Sequence, residues 1–441
     1  MAIFASLGRQ QKEAIGLLQI GSFLEYFDLL LYVHMAVLLN ELFFPKTDPH
    51  TAALLAAFAF CSTYVLRPFG ALLFGWIGDN MGRKSTVIIT SMMMALSCLV
   101  MAILPTYEQI GILSAWIVTV CRVVQGLSSM GEIIGAEIYV TEITKPPVQY
   151  VAVSLIDLAA YVGGAFAVGV AALVTIKGFD WRDAFWIGAC IAVVGSVART
   201  RLRETPEFLQ KKLKATFNKK EATKSKSFKM FLSQEKVGKK VMIAFFATYC
   251  GWPLSFYLIF MYFNPFLKSM GKSAQDIIMH NFFLSIVLCV AFLCWGLLSY
   301  KVHPLKISKL KGIGFLAFSL LLPAWLFHVK TSADLFFTQT ILIIFALSAL
   351  PSNSIFIRHF PILKRFTVTS FLYALTRALM YIFTSFGLVY FTEWLGHWGT
   401  WLITLPVGIS FYWGVCYFEK LERKAEEADT KVMSQRFHQV A

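Results

Sequence analysis

Charge is scarce in this 441-residue chain. Asp, Glu, Lys and Arg make up 15% of it, against roughly a quarter in an ordinary soluble domain. With 57% hydrophobic residues and a mean hydropathy of +0.65, that scarcity excludes a water-soluble fold. Other things are missing too. No two of the eight cysteines have the spacing of a zinc or redox motif. The sequence holds no phosphate-binding loop, no GxSxG elbow and no metal box, so nothing supports catalysis, a metal or a cofactor beyond a proton gradient. No small-residue cleavage site follows the first apolar run, which carries Glu25 and Asp28. That run reads as a membrane span rather than a signal peptide.

What the chain does have is apolar runs, at 15–39, 51–77, 85–105, 111–142, 148–176, 183–200, 240–266, 275–299, 312–329, 333–357, 362–392 and 397–418. Each is long enough, or nearly so, for a helix across a bilayer, and lipid leaves the backbone no alternative to helix. The pattern predicts an all-α membrane protein of twelve spans. The net charge of +15 is concentrated: 14 Lys/Arg and 4 Glu fall between Arg199 and Lys240. This stretch is expected to be a solvated cytoplasmic loop rather than a nucleic-acid site. With the N-terminus inside, the loops carry 31 Lys/Arg on the cytoplasmic side and 6 opposite, which places both termini in the cytoplasm. The expected plan is a six-helix bundle over 1–202, a basic linker over 203–239, a second bundle over 240–420 and a cytoplasmic tail over 421–441. Pro253 and Pro351 mark expected weak points in spans seven and ten.

The end of span two reads Gly75-Trp-Ile-Gly-Asp79-Asn-Met-Gly82-Arg83-Lys84, which resembles the loop signature of the major facilitator superfamily. Glu25-Tyr-Phe-Asp28, Arg67-Pro-Phe-Gly70, Arg122-Val-Val-Gln125-Gly126, Gly131-Glu132, Gly135-Ala136 and Glu204-Thr-Pro206 resemble its metabolite:proton symporter branch, which includes proline/betaine, dicarboxylate and shikimate porters. The second half departs from that pattern. Arg358-His359 stands where an acid precedes Phe360-Pro361, Ala374 follows Tyr373 where Asn is usual, and no second loop signature follows span eight. The resemblance implies two bundles rocking about a central site. It also implies a cytoplasmic charge network of Asp79, Arg83, Glu142, Arg203 and Glu204 that closes the inner side.

Charges kept inside a membrane are costly and are expected to face a cavity or a partner. Glu25 and Asp28 share a face of span one, with Tyr32 a turn further on. Arg122 lies at a similar depth of span four, about 15 Å from its outer end at 1.5 Å per residue. An ion pair between Asp28 and Arg122 is expected, in which Asp28 takes up the proton and Arg122 then changes partner. Glu132 joins this proton-coupling set. Arg377 in span eleven is expected to hold a substrate carboxylate, because a guanidinium suits that geometry. Tyr32, Glu137, Tyr249, Trp252, Tyr257 and Tyr373 are the remaining candidates for the substrate site. Asp157 and Arg67 read as packing-network members. The function expected is proton-coupled uptake of a small zwitterion or carboxylate by alternating access. The alternative is a proton-driven exporter of a drug-like or metal-chelating metabolite. The partners expected are substrate, proton and lipid around a monomer, in a bacterial inner membrane.

Overall fold

The computed structural model describes residues 2–44, 64, 66–174, 180–200, 202–210, 212–213 and 237–440. Each expected apolar run holds a helix among them, and no strand occurs among the described residues. Eight helical stretches are long and apolar enough to cross a membrane. In the first half the spans are Arg9–Phe43, Arg67–Asn80, Arg83–Ile103, Ile112–Ile143, Val148–Val174 and Trp181–Arg199. In the second half span eight is Ala274–Leu298, span nine Pro304–Leu326, span eleven Ile362–Leu395 and span twelve Trp401–Val440. Span twelve therefore runs unbroken through most of the expected tail. Most of the expected basic linker, 214–236, lies outside the described residues.

Two spans are interrupted, and in both the freed backbone groups are met by polar side chains. Span seven passes from Lys239–Tyr249 through Gly251–Tyr257 into a π-helical turn, Leu258–Tyr262. Gln339 of span ten donates to the Ile259 carbonyl beside it, at 2.6 Å. Span ten runs as Ser332–Ile344 and resumes as Asn353–Arg358. The stretch between contains Pro351, which has no N–H to give a helix. Here Ser255 Oγ accepts from the Leu347 N–H at 3.0 Å, and the Ser308 and Ser352 hydroxyls meet at 2.8 Å. Lys311 Nζ donates to Ser348 Oγ at 2.5 Å and to the Leu350 carbonyl at 2.9 Å. Non-helical backbone at membrane depth is tolerable when it is buried in protein in this way.

Lys311 is a correction to the sequence reading, which placed it in the loop before a span starting at 312. The helix begins eight residues earlier because Pro304 sits in its first turn with His303 as N-cap, the ring accepting from the Leu305 N–H at 3.4 Å. That start carries Lys311 inside, where it is fully buried.

The two halves meet mainly where span two packs on span eleven and span five on span eight. The first contact requires glycine: a Cβ on Gly75 would lie 2.6 Å from Thr367 Cα, and one on Gly78 2.6 Å from the Phe366 ring. Gln10 of the first helix, with Arg203 at 3.3 Å, and Glu422 of span twelve, with Arg358, lie at this same end of the molecule. We call it the basic end. At this end the halves are closed against each other.

Gly75→Leu is expected to wedge spans two and eleven apart. Spin labels at Met81 and Lys364 should then show a longer distance distribution than in the parent protein. An unchanged distribution would mean that this contact does not hold the basic end shut.

Candidate functional site

Of the charges expected at the basic end, Asp79, Arg83 and Glu142 lie together and reach across to the second half. Arg83 starts span three after a turn in which Gly82 has φ of 127°, a conformation that favours glycine. Its guanidinium reaches Asp79 at 3.1 Å and Glu142 at 3.2 Å. It also donates to the Gly78 carbonyl at 2.7 Å and, across the halves, to the Ile362 carbonyl at 2.6 Å. Asp79 crosses as well, accepting from the Phe366 N–H at 3.2 Å, the Thr367 N–H at 2.8 Å and the Thr367 hydroxyl at 2.7 Å. A carboxylate near a helix N-terminus is favoured by the helix dipole. Glu142 is shared: Arg365 of the second half lies 3.1 Å from the same Oε1 that takes Arg83, and Thr205 Oγ1 donates to Oε2 at 2.6 Å.

Glu204 takes a different post from the one expected. It accepts from the backbone N–H groups of Arg83 at 3.0 Å and Lys84 at 3.3 Å, so it caps span three without facing the other half. Arg203 is corrected outright. Its side chain is exposed and points to Gln10, because its backbone turns that way as Tyr139 donates its hydroxyl to the Arg203 carbonyl. Arg365 takes the place expected of Arg203. Only the fold shows which acid Arg365 meets.

At mid-molecule the candidates sort into three groups. Arg377 is buried with its guanidinium carbon 3.3 Å above the Tyr373 ring. Tyr373 lies 5.7 Å from Tyr249, which stacks on Phe245 at 4.2 Å. Tyr26 of span one, Tyr161 of span five and Tyr381 lie within electrostatic reach of Arg377. Across the halves Tyr381 meets Tyr64, and Arg67 lies 4.7 Å over the Tyr64 ring. The Nη1 of Arg377 is buried with no hydrogen-bond partner among the described residues. An unmet donor on a buried guanidinium is an open place for an acceptor.

Trp252 stands one ring away from this centre, packed between Tyr161 at 5.1 Å and Phe292 at 5.6 Å. It is a wall behind the site rather than a surface of it. Tyr257 is corrected: it lines a separate recess of ≈ 450 Å³ with Tyr262, Phe266, Phe327 and His397. The π turn that follows it widens the helix and alters which face its neighbours present. The side chains of Tyr32 and Glu132 lie outside the described residues.

The third group is the acids. Asp28 is buried, and Cys98 of span three donates its thiol to Asp28 Oδ1 at 3.2 Å. Arg122 acts on Asp28 electrostatically, yet its Nη1 donates to Gln125 at 2.9 Å. No ion pair among the described residues joins Asp28 to Arg122, which corrects the expected direct contact. Gln125, three residues on, shares the Arg122 face and takes the near position. Glu25 is buried a turn earlier and acts on Tyr26 and Tyr373. Glu137 is within the field of Arg377 and acts through space on Tyr249 and Tyr373. It accepts from Asn353 at 3.0 Å, and the same amide nitrogen donates to Asp157 at 2.8 Å. Asn353 and Cys98 carried no signal in the sequence, since a lone amide or thiol in an apolar run is ordinary.

Residues 20–385 match the Major Facilitator Superfamily. The chain belongs to that family. The "Proline/betaine transporter" of Escherichia coli (strain K12) is 32% identical over 206 residues, covering 45% of this chain and 41% of the relative. The "Inner membrane metabolite transport protein YhjE" of the same strain is 34% identical over 197 residues, 43% of this chain and 45% of the relative. The chain thus spans less than half the length of these curated relatives. Among solved structures, the proton:xylose symporter XylE with bound 6-bromo-6-deoxy-D-glucose superposes with a TM-score of 0.73 at 14% identity, over 93% of this chain and 95% of that one. The human organic anion transporter MFSD10 gives 0.68 at 14% identity, over 92% and 100%. These likenesses show the major facilitator fold. The protein is a multi-spanning membrane protein of this family.

Glu142→Gln leaves Arg83 and Arg365 buried with their shared anion gone, a kind of loss that costs about 3–5 kcal/mol. The closed arrangement should be weakened, giving a lower melting temperature and a wider basic end by spin-label distance. Arg203→Ala, at an exposed site, should change stability by no more than about 0.5 kcal/mol. Equal effects of the two would contradict the assignment.

Proposed function

We propose that the protein is a secondary transporter that uses the proton gradient to take up a small zwitterionic or carboxylate metabolite by alternating access. The observation that carries this reading is Arg377: a buried cation with an unmet N–H, enclosed by tyrosines of both halves at mid-molecule. A substrate carboxylate bound there accepts that donor, and charge-assisted bonds of this kind are the strong ones. Tyr373, Tyr249 and Tyr26 supply hydroxyls and ring faces around it, which suits a small polar ligand with one apolar flank.

Proton coupling follows from the same economy of charge. Asp28 is buried beside Cys98 and within the field of Arg122. A proton on Asp28 removes the anion that balances Arg122, so each protonation state favours a different arrangement of span one against span four. The closed basic end corresponds to one end state of the cycle, and breaking the Asp79, Arg83, Glu142 and Arg365 contacts gives the other.

The test is uptake into proteoliposomes of radiolabelled proline, betaine and di- and tricarboxylates, with an imposed inward pH gradient. Accumulation of one class that collapses when the gradient is dissipated is expected. Loss of internal label under the same gradient would instead mark an exporter. Arg377→Ala is expected to weaken binding of the accepted substrate roughly 10–100-fold, from about 1.5–3 kcal/mol for a hydrogen bond to a charged group. Unchanged affinity with the fold intact would remove Arg377 from the site. Asp28→Asn is expected to abolish gradient-driven accumulation, and a normal gradient response would remove its coupling role.

A further inference from the structure

Asn353 opens the second piece of span ten, directly after the broken stretch. Its amide nitrogen has two N–H bonds, and each serves one acid of the other half: Glu137 Oε1 of span four at 3.0 Å and Asp157 Oδ2 of span five at 2.8 Å. Two carboxyl groups are thereby gathered about one nitrogen, and Glu137 is 1% exposed. Among the described residues no Lys or Arg stands within ion-pair distance of either. The nearest cations are engaged elsewhere, Arg377 on the Tyr373 ring and Lys311 on Ser348 and Leu350. Both still act on Asp157 through space, and Tyr249, Tyr161 and Tyr373 are the other titratable groups facing the pair. Glu137 Oε2 has no hydrogen-bond partner among the described residues.

Two carboxylates side by side without a direct counter-ion, in a medium of low dielectric, do not both stay ionised; one holds a proton. A buried carboxylate oxygen that no donor meets is costly as an anion and much less so as part of a neutral acid.

We infer that Glu137 and Asp157, tied across the halves by Asn353, form a proton-carrying site separate from Asp28. A proton from water on the open side bonds to a carboxylate oxygen of the pair, and the same proton returns to water on the other side. Asn353 belongs to the half that rocks, so opening withdraws both N–H bonds at once. With the proton on, the pair carries one charge and tolerates that loss. With it off, two adjacent anions remain, held only by the fields of Lys311 and Arg377. Charge on the pair is thus linked to whether the halves can part.

This inference rests on the proposed proton coupling, and the experiment separates the two. Purified protein in lipid is titrated while the carboxylic-acid C=O stretch is recorded by infrared difference spectroscopy. A band that titrates in the parent protein and in Asp28→Asn, and is missing from Glu137→Gln and Asp157→Asn, is the expected result. The band should shift in Asn353→Ala. Persistence of every titrating band in both acid variants overturns the inference, and two single variants keep the test usable when one of them folds poorly. In proteoliposomes, Asp157→Asn should lower gradient-driven accumulation at least tenfold, and accumulation equal to that of the parent also overturns it. A parent protein that accumulates nothing under a gradient defeats the uptake reading instead, and leaves the infrared result to decide the pair.

Discussion

One carboxylate, Glu142, holds the closed state. It lies fully inside the basic end, with Arg83 of its own half and Arg365 of the other half both on Oε1. Arg83 has Asp79 of its own half as a second anion, and Arg365 has Glu207 at 3.6 Å as well as Glu142; the desolvation of such buried ions is repaid only by good geometry. Closure therefore brings Arg365 to an anion that the first half already holds on Arg83. Asp79 and Arg83 extend the principle to the backbone. The Phe366 N–H and the Ile362 carbonyl stand one helical turn apart in span eleven, and the acid and base of the first half address one each.

The same helices that make this contact also carry the central site. Arg365 and Arg377 lie on span eleven, twelve positions apart, or about 18 Å at 1.5 Å per residue. Glu137 and Glu142 lie on span four, about 7.5 Å apart by the same rise. A rigid helix cannot shift at one end and stay fixed at the other, so any shift of span eleven against span four at Arg365 and Glu142 would also carry Arg377 and Tyr373 past Glu137.

The twelve-span plan was legible in hydropathy alone, because lipid forces each apolar run to be helical. The loop signature likewise disclosed Asp79 and Arg83, since those charge types cluster at a helix junction, and the family resemblance added Glu142 at the end of span four. Individual partners were harder. Lys311 reads as one more cation in a basic loop until Pro304 starts the helix early and draws it inside. The expectation of an Asp28–Arg122 pair came from depth and sign, and sequence has no way to show that Gln125 takes the Arg122 N–H. Asn353 is the clearest case: its role depends on the break at 345–352 turning the second piece of span ten toward spans four and five, a tertiary fact with no local signal. Tyr257 was grouped with Tyr249 and Trp252 by its place in span seven alone, which does not show that it lines the recess beside Phe327 and His397.

The two halves solve the problem of their basic ends by different means. The first uses the loop between spans two and three. The second has no such loop after span eight, yet it is not left open: Arg358 and His359 contact Glu422, and Lys309 contacts Glu419, both acids borne by the continuation of span twelve. Arg358 and His359 stand where the family pattern has an acid before Phe360-Pro361, and Glu422 gives Arg358 its counter-charge while the Arg358 carbonyl accepts from Arg365 at 3.5 Å. Through Glu419 and Glu422 the long helix Trp401–Val440 thus joins spans nine and ten of the second half at the basic end.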